Sequence, residues 1–72
     1  MKNQLTIDTK VMKEYGVTAA VVLAIVNISD GDVAPTEIAK EVGITYPTAQ
    51  KNLRMLADFK MIKANGNAFS KI

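Results

Sequence analysis

Basic and amide side chains recur at helical spacing between residues 46 and 58 of this 72-residue chain. Lys51 and Arg54 are three residues apart, which brings both side chains to one face of an α-helix. The same face and its flanks also carry Pro47, Thr48, Gln50 and Asp58. Lysine binds phosphate oxygens as a point charge, whereas arginine and glutamine form paired hydrogen bonds with guanine and adenine edges. These residue types at this spacing predict contact with a nucleic acid.

An apolar seam lies on the other side of the same segment. Ala49, Leu53 and Leu56 recur at spacings of four and three, as expected of a helix that packs one face on a core. Thr45 is an expected N-cap of this helix, and Pro47 falls in its first turn, where no intrahelical N–H is needed. The pattern predicts a helix from Tyr46 to about Phe59.

A shorter amphipathic helix is expected immediately before it, with Gly43 at its C-terminal end. Its apolar side consists of Ile38, Ala39 and Val42. Two starts fit the sequence. Pro35 favours the first helical turn and so puts Ala34 at the N-cap, although alanine is a poor cap. Thr36 as the cap would start the helix two residues later, and both starts remain open.

The stretch EIAKEVGITYPTAQKNLRML, residues 37–56, resembles the helix-turn-helix of winged-helix regulators. That group includes MarR-like proteins and phage or plasmid regulators and replication initiators. The matching positions are Glu37-Ile38-Ala39, Gly43-Ile44-Thr45, Thr48-Ala49, Leu53, Leu56 and the exit Met61-Ile62. Ala49 stands where valine is commoner, and Lys60 stands where the family usually has glycine. The resemblance implies one mainly α domain over residues 1–72, with a helix-turn-helix over about 35–59 and a β-hairpin wing over about 61–72.

The resemblance also implies a function, namely sequence-specific binding of double-stranded DNA with helix 46–59 in the major groove and the wing on the backbone. The expected protein is a repressor-like transcriptional regulator of phage, plasmid or other mobile-element type that binds as a homodimer, without a cofactor or a small-molecule effector. The expected contact residues are Thr45, Tyr46, Pro47, Thr48, Gln50, Lys51, Arg54, Lys63, Asn65 and Asn67. The alternative is a winged-helix module for protein–protein interaction or replication initiation that has no sequence-specific DNA readout of its own.

Charge and composition favour the DNA interpretation and exclude several others. Residues 1–44 carry four lysines and six acids, a net charge of −2, whereas residues 45–72 carry five cations and one acid, a net charge of +4. The basic half therefore coincides with the expected DNA-binding half. Cysteine and histidine are absent, which excludes disulfides, zinc fingers and thiolate catalysis, and no nucleophile–base pair suggests an enzyme.

The most hydrophobic segment runs from Ala19 to Ile28. Its β-branched residues fit a buried strand, but its length, its alanines and Thr18 as a cap favour a helix. Such a helix must be buried on most sides, and any uncovered flank would suit a homodimer interface. The segment is too short to cross a bilayer. A signal-peptide core is the competing interpretation, against which the acidic residues upstream argue, so we expect a cytoplasmic protein.

The remaining N-terminal half contains shorter signals. Residues 5–7 alternate as a short strand or an extended arm does, and the role of residues 1–8 stays open. Asp8 or Thr9 is expected to cap a helix from Lys10 to Tyr15 that ends at Gly16. Val33 is expected to form the single-residue strand that winged helices place between their first and second helices.

The C-terminal segment predicts a β-hairpin, because Asn65-Gly66 is a strong signal for a two-residue turn. A loop made of these two residues pairs Ile62 with Phe69 on the core face and leaves Lys63 facing outward. Ile72 is out of phase in that register, so a three-residue loop or a bulge remains an alternative. Lys60, just before the hairpin, is expected in the left-handed conformation.

Overall fold

The computed structural model describes residues 5–72, which form four helices followed by one antiparallel hairpin. These elements are α1 (Thr9–Tyr15), α2 (Val17–Ile28), α3 (Pro35–Val42), α4 (Tyr46–Asp58), β1 (Ile62–Asn65) and β2 (Ala68–Lys71). The predicted fold class, mainly α with a small hairpin, is confirmed at this level. Residues 5–8 lie in neither a helix nor a strand, and residues 1–4 of the open segment 1–8 lie outside the described part of the chain.

A single glycine joins α1 to α2. The Asp8 carboxylate caps α1 by accepting hydrogen bonds from the N–H groups of Lys10 and Val11, at 3.0 and 3.2 Å. Gly16, at a φ of 100° that favours glycine, closes α1 and is also the N-cap of α2. The prediction that Thr18 caps α2 is therefore wrong, and the helix begins at Val17. The turn at glycine leads directly into α2 without a side-chain cap.

Helix α2 is the centre of the core, as the helical interpretation of residues 19–28 predicted. It contacts α1, α3, α4 and β2. Its buried side chains are Ala19, Ala20, Val22, Leu23, Ala24 and Val26. Because these residues occupy most of its circumference, α2 positions the other elements and presents no charged group to solvent.

The α3–α4 pair begins at Ala34 and not at Thr36. Ala34 holds the N-cap position, and its N–H donates a 2.8 Å hydrogen bond to the Glu37 carboxylate. This bond is one half of a capping box, and alanine has no side-chain oxygen to form the other half. Helix α3 ends at Gly43 in the left-handed conformation, as predicted. Thr45 then caps α4, as predicted, with its hydroxyl oxygen 3.4 Å from the Thr48 backbone nitrogen.

Helix α4 ends at Asp58, and Lys60 follows two residues later with a φ of 62°. This confirms the predicted left-handed residue. The N–H of Met61 donates to the carbonyl of Leu56, and the N–H of Lys60 donates to the carbonyl of Ala57, both at 2.9 Å. This bonding pattern is the Schellman motif. A side chain at its left-handed position costs about 1 kcal/mol relative to glycine.

The predicted hairpin forms, but its register differs from the expected one. Ala64 pairs with Phe69 and Asn65 with Ala68, so the loop is Gly66-Asn67 and the expected Asn65-Gly66 loop is wrong. Of the two loop residues, Gly66 has a positive φ and Asn67 does not. This is the pattern of a type II′ turn, which has glycine at its first central position. The loop keeps two residues, without the alternative third residue.

Both strands of the hairpin contact the core, β1 against α4 and β2 against α2, and β2 also pairs with Val33. Val33 and Phe69 exchange two backbone hydrogen bonds, of 2.7 and 2.9 Å, which confirms the predicted single-residue strand. Ile62 and Phe69 are both buried although they are not directly paired. Anchoring of Phe69 from both sides fixes β2, and β1 follows its register.

Candidate nucleic-acid interface

Helix α4 has two different faces. Ala49, Leu53 and Leu56 are fully buried, as predicted, whereas Lys51 and Arg54 are exposed. Burial of the apolar seam against α2 and β1 fixes the rotation of the helix, because α4 contacts both elements. The cationic side chains must then point away from the core. The structure therefore brings four of the predicted α4 residues, namely Pro47, Gln50, Lys51 and Arg54, to one accessible surface.

The leading end of α4 contributes side chains more than backbone donors. Thr45, Tyr46, Pro47 and Thr48 are all exposed. The Thr45 hydroxyl donates to the Thr48 hydroxyl oxygen at 2.9 Å and accepts from the Thr48 N–H. Pro47 has no N–H, so little of the usual anion-binding capacity of a helix N-terminus is left. Binding at this end would depend on the Tyr46 side chain, on the hydroxyl hydrogen of Thr48, which neither of these two bonds uses, and on the cations one turn later.

An apolar element that the sequence analysis missed lies at the far end of this surface. Phe59 is 52% exposed although it is a large aromatic residue, and its ring stacks on that of Tyr15 with centroids 5.0 Å apart. Phe59 and Met55 line a shallow depression together with Pro47, Gln50, Lys51, Arg54 and Asp58. One feature of the sequence could have predicted that Phe59 is exposed: Phe59 falls outside the seam formed by Ala49, Leu53 and Leu56. The Tyr15 ring is half-buried, in keeping with a packing role.

The three predicted wing residues occupy different environments. Lys63 is exposed on β1, and Asn67 is exposed in the loop. Asn65 is half-buried, and its side-chain amide donates to Asp32 and to Ser70. Because β1 packs on α4, the wing residues belong to an element next to the candidate helix.

All five cations of residues 45–72 are exposed. Two of them, Lys60 and Lys71, were not among the predicted contact residues, although they share the basic half of the chain. Asp58 is the single acid of this half and lies in the last turn of α4, away from its leading end. The exposed cations of this half thus lie on α4, in the turn after it and on both strands of the hairpin.

Other kinds of site receive no support from residues 5–72. Within this part of the chain no three histidine, cysteine or acidic side chains come together as metal ligands would. None of its helices is long and apolar enough to cross a membrane.

Comparison with family models, curated proteins and solved structures finds no significant match for the chain.

Proposed function

We propose that the chain is a winged helix-turn-helix protein that binds double-stranded DNA in a sequence-specific manner. The observation that carries this proposal is the two-faced α4 helix, which buries Ala49, Leu53 and Leu56 and exposes Lys51 and Arg54 beside the half-buried Gln50. A capped α3–turn–α4 pair with such a second helix fits the docking geometry of helix-turn-helix proteins.

In the proposed complex α4 lies in the major groove with its leading end foremost. An α-helix with its side chains is about 10–12 Å across, and the major groove is about 12 Å wide, so the groove admits the helix. Arg54 and Gln50 read base edges, Lys51 binds a phosphate, and Thr48 meets a phosphate or a thymine methyl group. Lys63 and the loop residue Asn67 contact the backbone from the wing.

The expected biological role is that of a repressor-like transcriptional regulator of phage, plasmid or other mobile-element type. A module of this size contacts few base pairs, so a homodimer on a palindromic or repeated site would raise both affinity and specificity. Exposed apolar side chains outside α4 support a second copy as partner, and they include Leu5, Ile7 and Val17. Sedimentation equilibrium with and without DNA tests the dimer, and a 1:1 complex at saturation would contradict it.

The proposal is tested by fluorescence anisotropy of a labelled mixed-sequence duplex across a salt series. We expect binding that weakens steeply as salt rises, because phosphate contacts release counterions. The double variant Lys51→Ala/Arg54→Ala should bind at least about tenfold more weakly, with a salt slope that is shallower by roughly one to two.

A matched control removes the same charge elsewhere. Lys10→Ala/Lys13→Ala deletes two exposed lysines of α1 and should keep binding within about threefold of the parent protein, since only long-range electrostatics change. No binding by the folded parent protein at low salt, or equal losses in the two double variants, would refute the proposed interface.

A second candidate function has one specific observation in its favour. The exposed Phe59 and the adjoining Met55 form an apolar spot in the depression that Lys51 and Arg54 also line. Such a spot is typical of a protein–protein contact. A winged-helix interaction or replication-initiation module without its own DNA readout would use this spot. That function predicts that Phe59→Ala abolishes partner binding, whereas Lys51→Ala/Arg54→Ala leaves it intact.

A further inference from the structure

One polar bridge connects the hairpin to the loop between α2 and α3. The Asn65 side-chain nitrogen lies 2.8 Å from Asp32 Oδ1 and 3.0 Å from Ser70 Oγ. Asp32 and Asn65 are 33 residues apart in the chain. The bridge therefore joins two segments that are distant in sequence, and no local turn explains it.

The chemistry of the three groups fixes how the amide of Asn65 is oriented. An ionised carboxylate only accepts hydrogen bonds, so the NH₂ group of Asn65 and not its carbonyl oxygen must face Asp32. That NH₂ group has two hydrogens, and Asp32 and Ser70 accept one each. No amide donor of Asn65 is left for a DNA phosphate, which accepts hydrogen bonds but does not donate them. This geometry argues against the direct DNA contact that the sequence predicted for Asn65.

The strand pairing places the bridge beside a wing cation. The antiparallel Val33–Phe69 pair brings Asp32 opposite Ser70, and Ser70 pairs on its other side with Lys63. The side chains of Asp32, Ser70 and Lys63 thus lie in one cross-strand row on the same face of the small sheet. Asp32 also precedes Ala34, the N-cap residue of α3. The bridge connects the start of the α3–α4 pair to the strand that carries Lys63.

We infer that Asp32 and Asn65 are positioning residues, which hold the hairpin at a fixed place relative to α4 so that Lys63 meets a phosphate while α4 is in the groove. This inference rests on the proposed function. The Asp32 carboxylate itself repels phosphates, so its charge opposes DNA binding while its hydrogen bond supports it. The two effects have opposite signs and are therefore separable by substitution.

The test compares Asp32→Asn with Asp32→Ala. Both variants lose the negative charge, but the asparagine oxygen can still accept the hydrogen bond from Asn65. In the free protein, we expect the backbone amides of β1 and β2 to exchange with solvent about threefold to tenfold faster in Asp32→Ala than in Asp32→Asn, the range that corresponds to one net hydrogen bond. The mixed-sequence duplex should bind about threefold more weakly to Asp32→Ala than to Asp32→Asn.

Asn65→Ala supplies a second, independent comparison. Asn65→Ala removes the hydrogen bonds to both Asp32 and Ser70, and Asp32→Ala removes only the first of them. The double variant Asp32→Ala/Asn65→Ala should therefore bind DNA about as well as Asn65→Ala alone, apart from the gain due to the lost acid. If Asn65 contacted DNA directly, Asn65→Ala would weaken binding without any faster exchange in the hairpin.

Three results would overturn the inference: equal exchange in Asp32→Ala and Asp32→Asn, faster exchange without any difference in DNA affinity, or losses that add in the double variant. Failure of the parent protein to bind DNA would refute the proposed function instead. Hydrogen exchange in the free protein would then still decide whether the bridge holds the hairpin. Equal exchange in Asp32→Ala and Asp32→Asn would show that it does not.

Discussion

Helices α2 and α4 are similar in length, with 12 and 13 residues, but they use their surfaces in different ways. Helix α2 has no charged residue and buries six side chains, whereas α4 buries three and carries Lys51, Arg54 and Asp58. Helix α2 contacts α1, α3, α4 and β2, whereas α4 contacts α2, α3 and β1 and keeps its cationic face exposed. Helix α2 therefore provides the support against which α4 is oriented. Changes in α2 should therefore alter stability, and changes on the outer face of α4 should alter binding.

The largest effect is expected from a charge in the middle of α2. Val22 is fully buried, so Val22→Asp places an unpaired carboxylate in the core, at a cost above about 5 kcal/mol. We expect an unfolded protein by circular dichroism at 25 °C. The matched control Asn27→Asp changes an exposed residue of the same helix and should keep the fold. A folded Val22→Asp protein would contradict the central position of α2.

A smaller loss of stability is expected from the buried face of α4. Leu53→Ala leaves a cavity at a fully buried site and should lower the free energy of unfolding by about 3 kcal/mol. The neighbouring Arg54→Ala changes an exposed residue and should stay within about 0.5 kcal/mol of the parent protein. Urea denaturation measures both variants. Similar losses for the two would mean that α4 is not two-faced in solution.

The C-terminal end of α4 predicts a gain. Lys60→Gly removes the side chain from a left-handed position and should stabilise the fold by about 1 kcal/mol. Lys60→Ala is the control, because alanine also loses the charge but keeps the β-carbon that causes the strain. A denaturation midpoint for Lys60→Gly that is no higher than that of Lys60→Ala would rule out this turn geometry.

The smallest effects are expected from the threonines at the N-terminal ends of α4 and α2. Thr45 caps α4 with its side chain, but the N···O distance of 3.4 Å is long, so Thr45→Ala should cost only about 0.5 kcal/mol. Thr18 lies inside α2 and caps nothing, so Thr18→Ala should leave the midpoint almost unchanged. Thermal denaturation followed by circular dichroism compares the two, and a larger loss for Thr18→Ala would reverse the assignment of the caps.

Much of the helical part of the fold could be predicted from local signals. Thr45, Gly43 and the Ala49, Leu53 and Leu56 seam define α4 and the turn before it, because caps and amphipathic faces depend on residues within one or two turns. For the same reason the exposed positions of Lys51 and Arg54 were predicted correctly. The start of α2 was not, since Thr18 is the better cap by residue type and Gly16 joins two packed helices at an unusual φ. Whether the exposed residues contact DNA remains a prediction.

Local signals in the sequence are sufficient to predict which faces of the helices are apolar, where α3 ends, where α4 begins and that a hairpin follows. The register of that hairpin and the hydrogen-bond partners of Asn65 depend on contacts between distant segments. Val33 holds Phe69 from one side, and Asp32 binds the Asn65 amide across a gap of 33 residues. These long-range contacts outweigh the local preference of Asn65-Gly66 for a turn. Both registers place Ile62 and Phe69 on the core face, so burial alone does not choose between them, whereas the observed register satisfies the Asn65 amide with Asp32 and Ser70.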